Sequence, residues 1–331
     1  MADDSAHPAD TQASSPATLR DDHTPVPARS IDAAAVHRLQ QRLATDEPPW
    51  LHGEVARRMA ERLQIIKLQP QQYIDWSGPA GASKDVLAQA YPQARVFAVD
   101  PFALDGGGTS EDAGAPASRN PAWWSPSRWL RGAASSHAFI APSQVAPASA
   151  QLLWSNMMLH AAVDPPALLA RWHRAVSVDG FVMFSCLGPD TVKELRELHA
   201  QAGWGPPTVD FVDMHDIGDM MVHAGFADPV MDQETLTLTW ASPEALLLEM
   251  RTLGGNASPA RPAGLRGRAW LRDLHERLAG RARPDGRIAL TFEVVYGHAF
   301  KPTPRAKVQG ESSIALEDMR AMMRGTAPPR R

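Results

Sequence analysis

Large apolar residues recur at steps of three and four through Val55, Met59, Leu63 and Ile66, a helical period that stops at the turn-like Leu68-Gln69-Pro70. Beyond that stop the period changes. Tyr73 to Trp76 predicts a short buried strand, Ala82 to Ala90 a helix and Arg95 to Val99 a second strand. Together they make a β-α-β unit, which imposes parallel pairing. Strands are predicted again at His137 to Ala141, Gln151 to Ser155 and Phe181 to Cys186, with a helix over Pro166 to Val176 before the last. The layout is doubly wound α/β. Further on, the pattern predicts a helix over Met214 to Ala224, a strand near Thr235 to Trp240, a helical elaboration between Pro243 and Ala282, and a final strand at Ala289 to Tyr296. No internal repeat interrupts this order.

Residues 1–30 are rich in Ala, Pro, Ser, Asp and Thr and hold almost no large apolar side chains. Such a segment buries too little surface to offset the entropy of ordering, so it reads as a disordered tail. Residues 302–331 read as a flexible C-terminal tail, which leaves one domain over 31–301. Residues 103–136 are rich in Gly, Ala, Ser and Pro and predict a loop or lid that carries Trp123, Trp124 and Trp129.

With 331 residues, 44% of them hydrophobic, the chain can bury a sizeable core. A formal charge of -4 gives no global basic excess, which excludes nucleic acid as the main partner and favours a small neutral or anionic ligand. The single cysteine, Cys186, excludes an internal disulfide and a cysteine-based zinc site; in a buried strand it acts as a small hydrophobe. The acidic start lacks the basic and apolar regions of a signal peptide, and no apolar run is long enough for a membrane span. The expectation is a cytoplasmic protein.

In an open α/β sheet a ligand sits at the carboxyl ends of the strands, so the first strand-to-helix turn is the place to look. Here it reads Asp75-Trp76-Ser77-Gly78-Pro79-Ala80-Gly81. Glycines in such a turn let the backbone approach a ligand, and the following helix offers unpaired N–H groups. Asp100 ends the second strand, where a carboxylate can accept both hydroxyls of a ribose. A dinucleotide site needs G-x-G-x-x-G, and only Gly78 and Gly81 stand in the turn. The order and spacing fit an adenosyl nucleoside better than NAD; an ordinary tight turn is the competing reading.

Five later stretches are more specific: W-S-N-M-M-L-H at 154–160, F-S-C-L-G-P-D-T-V-K-E-L at 184–195, D-M-H-D-I-G-D at 213–219, H-A-G-F-A-D-P-V-M-D at 223–232 and E-V-V-Y-G-H-A-F at 293–300. With these, residues 29–300 resemble the malonyl-acyl-carrier-protein O-methyltransferases of biotin synthesis, a branch of the class I S-adenosylmethionine-dependent methyltransferases. The resemblance implies a Rossmann-like doubly wound sheet with a final antiparallel strand. It also implies S-adenosylmethionine as methyl donor, held by Asp75, Ser77, Gly78, Gly81, Asp100 and Ser155, and a malonyl thioester as acceptor. The acceptor pocket is placed at Asn156, His160, Tyr296 and His298; each of these, taken alone, also reads as a satisfied structural polar residue. Aligned on Asp75, the family's D-x-G-x-G-x-G places glycines where this chain has Ser77, Pro79 and Gly81, and the acid expected after the third strand is replaced at Ala141. Serine disfavours positive φ and proline forbids it, so a stiffer turn is expected.

Methyl transfer from a sulfonium to a carboxylate needs no general base, in keeping with a sequence that offers no Ser-His-Asp arrangement or metal-ligand cluster. His215 and Asp216 are expected at the start of the 214–224 helix instead. Between Arg261 and Arg287 stand eight arginines (261, 266, 268, 272, 277, 281, 283 and 287) against three acids, Asp273, Glu276 and Asp285. This patch would steer an acidic acyl carrier protein; a solvated helix face is the alternative. Two functions stay open: an active methyltransferase, and a degenerate relative that keeps the fold as a binding or regulatory module.

Overall fold

A computed structural model of the chain describes residues 30–43, 47–103, 139–304 and 320. Residues 104–136 of the tryptophan-bearing segment and nearly all of both tails lie outside these residues. Eight α-helices stand among the described residues: α1 Ala33–Leu43, α2 Trp50–Arg62, α3 Lys84–Ala90, α4 Pro165–Ala175, α5 Lys193–Ala202, α6 Met214–His223, α7 Pro243–Thr252 and α8 Arg268–Ala279. Six strands join them: β1 Gln72–Asp75, β2 Arg95–Ala98, β3 Ala150–Ser155, β4 Val176–Leu187, β5 Ala227–Trp240 and β6 Ile288–Phe300.

The strands form one sheet in the order β2-β1-β3-β4-β6-β5. The first four run parallel, in a register that aligns Asp75 with Ala98 on one side and with Trp154 on the other. β6 slots in antiparallel between β4 and β5, with Leu187 opposite Val294 and Phe181 opposite Phe300. Helices cover both faces, which is why Leu152, Leu153 and Trp154 are buried in succession rather than alternately. On one face Leu51, Val55 and Met59 of α2, Leu87 of α3, Leu195 of α5 and Leu274 of α8 pack on Tyr73, Trp154, Met183 and Tyr296. On the other, Leu169 and Trp172 of α4 and Ile217, Met220 and Met221 of α6 pack on Ile74, Leu153, Val182 and Val295. α1 joins neither core: Ala35 and Val36 form a small third cluster with Ala257, against which Leu39, Phe102 and Ala161 pack.

The strand predicted at His137 to Ala141 is reduced, among the described residues, to one parallel bridge between Val99 and Ile140; His137 lies outside them. Ala141, one residue on, turns away because Pro142 opens a short helical turn. The strand predicted near Thr235 to Trp240 begins much earlier, at Ala227, with a register shift before Val230, because β6 extends to Phe300 and gives it a partner along its whole length. α1 and α5 go beyond the predicted elements. Both carry short helical repeats, Val36-Leu39-Leu43 and Leu195-Leu198, at spacings that resemble loop apolar residues until a neighbouring surface is known.

Candidate active site

β1 ends at Asp75, and the turn that follows keeps a left-handed geometry at positions other than those the family motif marks. Gly78 has φ 64° and Ala82 has φ 54°, while Pro79–Gly81 makes one helical turn between them. Pro79 opens that turn, where a fixed φ and a missing N–H cost little. The expected stiffening is therefore absorbed: neither Ser77 nor Pro79 is asked for a positive φ. Gly81 has a packing reason to be glycine, since a Cβ there would lie 2.0 Å from Ser77 Cβ.

Ser77 itself is a fully buried anchor. Its N–H donates to Asp75 Oδ1 (3.1 Å), and its Oγ accepts from the backbone N–H of Asn156 (2.8 Å) and lies 3.1 Å from Ser83 Oγ. Ser83 Oγ in turn accepts from the indole Nε1 of Trp154 (2.9 Å). The Asn156 amide completes the net: Nδ2 donates to the carbonyls of His52 (2.8 Å) and Gly81 (2.6 Å), and Oδ1 accepts from Ser185 Oγ (2.7 Å). α2, the β1 turn, β3 and β4 thus meet at one side chain. Met157, next in the chain, holds φ 55° because its N–H is drawn to Ser185.

Two charges in this region are perturbed by burial. Asp75 is pushed up to about 6 by its removal from water, against the opposing pull of the Ser77 hydrogen bonds. His52 is pushed down to about 4 by burial, while its Nδ1 donates to Ala80 O (2.8 Å). A neutral imidazole therefore braces the turn from α2.

Asp100 stands where a ribose-binding acid is expected. Its Oδ1 accepts from Phe102 N–H (3.0 Å), and a Cβ on Gly78 would lie 3.9 Å from that oxygen, so the side-chain-free backbone of the turn faces the carboxylate. Beside it opens a cavity of about 670 Å³, walled by Trp76, Pro101, Phe102, Met158, Ala161 and Val36. Trp76 is buried, and its indole N–H has no hydrogen-bond partner among the described residues. Ser155 Oγ is also buried without a hydrogen-bond partner among the described residues. Ala141 N–H is capped by Gln144 Oε1 (2.8 Å) where the family's acid would stand.

A second cavity, of about 220 Å³, lies under α1 between α5 and the loop after α7, and His160, Leu187, Val192, Phe211, Ala257 and Phe292 are among its walls. Val192 is β-branched yet held at φ 48° by its N–H bond to Thr291 O (2.6 Å). His160 accepts at Nδ1 from Leu187 N–H (3.3 Å), which puts the proton of the neutral ring on Nε2. Val36 and Ala161 line both cavities.

The structure thus brings Asp75, Ser77, Gly78, Gly81, Asp100 and Ser155 to one corner of the sheet, with His160 on the adjoining cavity. Asn156 is fully buried with its amide committed to the internal net. Tyr296 and His298 are carried elsewhere. Both project from β6 onto the face that α2 covers, where the Arg62 guanidinium lies 3.9 Å over the Tyr296 ring and burial pushes the phenol up and the imidazole down. Neither lines either cavity. Period-two alternation puts residues 296 and 298 on a common face without saying which helix covers it. The sequence reading gave no site role to Trp76, His52 or the α1 residues; the Val36-Leu39-Leu43 repeat was the signal for α1, and Trp76 and His52 acquire roles only through neighbours distant in the chain.

Of the eight arginines, five are engaged: Arg261 with Asp32 Oδ2 (2.5 Å), Arg266 with Trp204 O (2.7 Å), Arg277 with Asp273 (2.8 Å), Arg281 with Glu194 O (2.9 Å) and Arg287 with Thr239 O (2.6 Å). Arg268, Arg272 and Arg283 are exposed.

A parallel sheet whose last strand enters antiparallel beside the fourth, with a glycine-bearing turn facing an acid across the first two strands, defines the class I methyltransferase fold. Within that class the family is shown by sequence. The malonyl-acyl-carrier-protein O-methyltransferase of Gallionella capsiferriformans is 38% identical over 293 residues, covering 86% of this chain and 96% of that one. The enzyme of the same name from Laribacter hongkongensis is 38% identical over 79% of this chain and 86% of its own, and that from Halorhodospira halophila 36% over 91% and 99%. The chain belongs to the malonyl-acyl-carrier-protein O-methyltransferase family. No family model matches it. Among solved structures, the YcgJ protein of Bacillus subtilis overlaps 74% of this chain and 98% of its own at a TM-score of 0.43 and 10% identity.

Two outcomes are expected. Ser77→Ala leaves the Asn156 N–H buried without an acceptor and should cost about 1–3 kcal/mol of unfolding free energy, measured by urea denaturation; a smaller loss would remove Ser77 from the net. The second concerns pH. Folding raises the Asp75 pKa from 3.8 to about 6, so the folded state keeps its proton across that window and stability falls as pH rises through it. Folding lowers His52 from 6.5 to about 4, so its share of stability is lost as pH falls across an overlapping window, with opposite slope. The two nearly cancel in the native protein. Asp75→Asn should unmask the His52 slope, and the stability difference between variant and parent should shift by on the order of 2–3 kcal/mol in favour of the variant from pH 4 to pH 6.5. Parallel stability curves for the two proteins would refute the assignment.

Proposed function

We propose that the protein transfers the methyl group of S-adenosylmethionine to the free carboxylate of a malonyl thioester carried on an acyl carrier protein. The observation that carries this reading is the pair of cavities meeting at Val36 and Ala161, one at the carboxyl ends of β1 to β3 beside Asp100, the other mostly apolar and lying under α1. Three features fit the donor: the Asp100 carboxylate for the ribose hydroxyls, the bare backbone at Gly78 facing it, and the wall formed by Trp76 and Phe102. When bound, S-adenosylmethionine supplies an electrophilic methyl group on a sulfonium.

The acceptor carboxylate is ionised at neutral pH and needs no base, so the residues of the second cavity act by alignment and exclusion of water. His160, which lines the second cavity and accepts from Leu187 N–H at Nδ1, is the polar group we assign to the acceptor, through a hydrogen bond from its ring to a carboxylate oxygen. Leu187, Val192 and Phe292 keep the surroundings apolar, which strengthens that bond. The altered glycines that favoured a non-catalytic binding module have structural roles here: Ser77 accepts from the Asn156 N–H, and Pro79 opens the helical turn.

Incubation of the purified protein with S-adenosylmethionine and a malonylated carrier should yield a methyl ester detected by mass spectrometry, and absence of product would overturn the proposal. Asp100→Ala should weaken donor binding by about 1.5–3 kcal/mol in isothermal titration, the scale of hydrogen bonds to a charged group. An unchanged affinity would remove the ribose role.

A further inference from the structure

We infer that the carrier protein docks on the amino-terminal end of α8, through Leu265, Arg268, Leu271 and Arg272, and that its acyl arm enters the apolar cavity between α1 and the loop that precedes this helix. The inference rests on the proposed function and narrows it to one surface.

Three observations converge there. First, the arginine-rich segment is not uniformly available. Arg261, Arg266, Arg277, Arg281 and Arg287 are bound to acids or carbonyls of the domain itself, whereas Arg268 and Arg272 have no hydrogen bond or ion pair among the described residues. They are four positions apart on α8 and share a ridge. Second, exposed apolar side chains flank that ridge. Leu265, in the loop before α8, is 104% exposed and Leu271 38% exposed, while Leu274 and Leu278 of the helix are buried. Two free cations interleaved with two exposed leucines fit an acidic helical surface with an apolar centre, the chemistry of a small acidic carrier. Nucleic acid fits less well: Trp270, the aromatic of the segment, is already taken up by Trp204 and Arg266.

Third, a tethered loop connects the cavity wall to this surface. Leu253 to Ala257 form part of the cavity wall, and the chain that leaves Ala257 leads into Arg268. This loop is fastened on both sides. Asn256 Nδ2 donates to Pro206 O (2.7 Å), Asp32 N–H donates to Ala257 O (2.9 Å), and Arg261 pairs with Asp32 Oδ2 (2.5 Å). Asp32 also accepts from Ala35 N–H (2.9 Å), so the same carboxylate starts α1. A carrier seated on Arg268 and Arg272 therefore presents its arm at the seam where α1 is clasped to the cavity wall.

The test compares two malonyl thioesters, one on the carrier and one on pantetheine, with Arg268→Glu/Arg272→Glu against the parent protein. These residues touch neither cavity. The double variant should raise KM for the carrier substrate roughly tenfold or more, leave kcat and the rate on the pantetheine thioester unchanged, and flatten the salt dependence of carrier binding read by fluorescence anisotropy. Arg283→Glu, in the turn beyond the other end of α8, should leave both substrates as they are. An unchanged carrier KM, or an equal loss on both substrates, would overturn the docking surface. The parent's rate on the pantetheine thioester reports the methyltransferase reading alone, so a failure there is separable from a failure of docking.

Discussion

The buried amide of Asn156 is the interaction on which the site depends. A carboxamide away from water must place both N–H groups and its oxygen on partners, and here the partners come from α2, the β1 turn and β4. Its backbone N–H adds Ser77. This fixes the position of the turn relative to α2, β3 and β4. The net is closed and mutually supporting, so loss of any one member exposes the others to an unsatisfied buried group.

The turn answers to that net rather than to a glycine count. A serine at position 77 has a hydroxyl that the backbone of β3 can use, and its Cβ takes the space that Gly81 leaves free. The left-handed positions move to Gly78 and Ala82, and Pro79 enters where a helical turn begins. The crevice that the glycine motif normally opens is still open, because Gly78 rather than Ser77 or Pro79 faces Asp100.

α1 links the chemistry to the surface. It belongs to neither main core, walls both cavities through Val36, and is held at its start by Asp32, which also secures the loop leading to α8. Its few buried contacts put it at the low-stability end of the fold.

The order of strands and helices, the turn after Asp75 and the acid at Asp100 were legible in the chain, because periodicity and a short strand-turn-helix are local properties. The motifs at 154–160 and 184–195 were legible for the same reason. What each residue there does was not legible. Asn156 reads as a polar residue at a pocket mouth until its three partners, brought from positions 52, 81 and 185, are known to use its amide. Tyr296 and His298 read as pocket residues, yet β6 turns them onto the α2 face, since alternation fixes only that two side chains share a side. The arginine segment showed its charge in sequence, but pairing with Asp32, Trp204, Glu194 and Thr239 decides which cations remain. Sequence alone determined the local conformations and the chemical inventory. Tertiary structure decided which polar groups are spent on one another and which are left to meet a ligand, because that depends on distances between residues far apart in the chain.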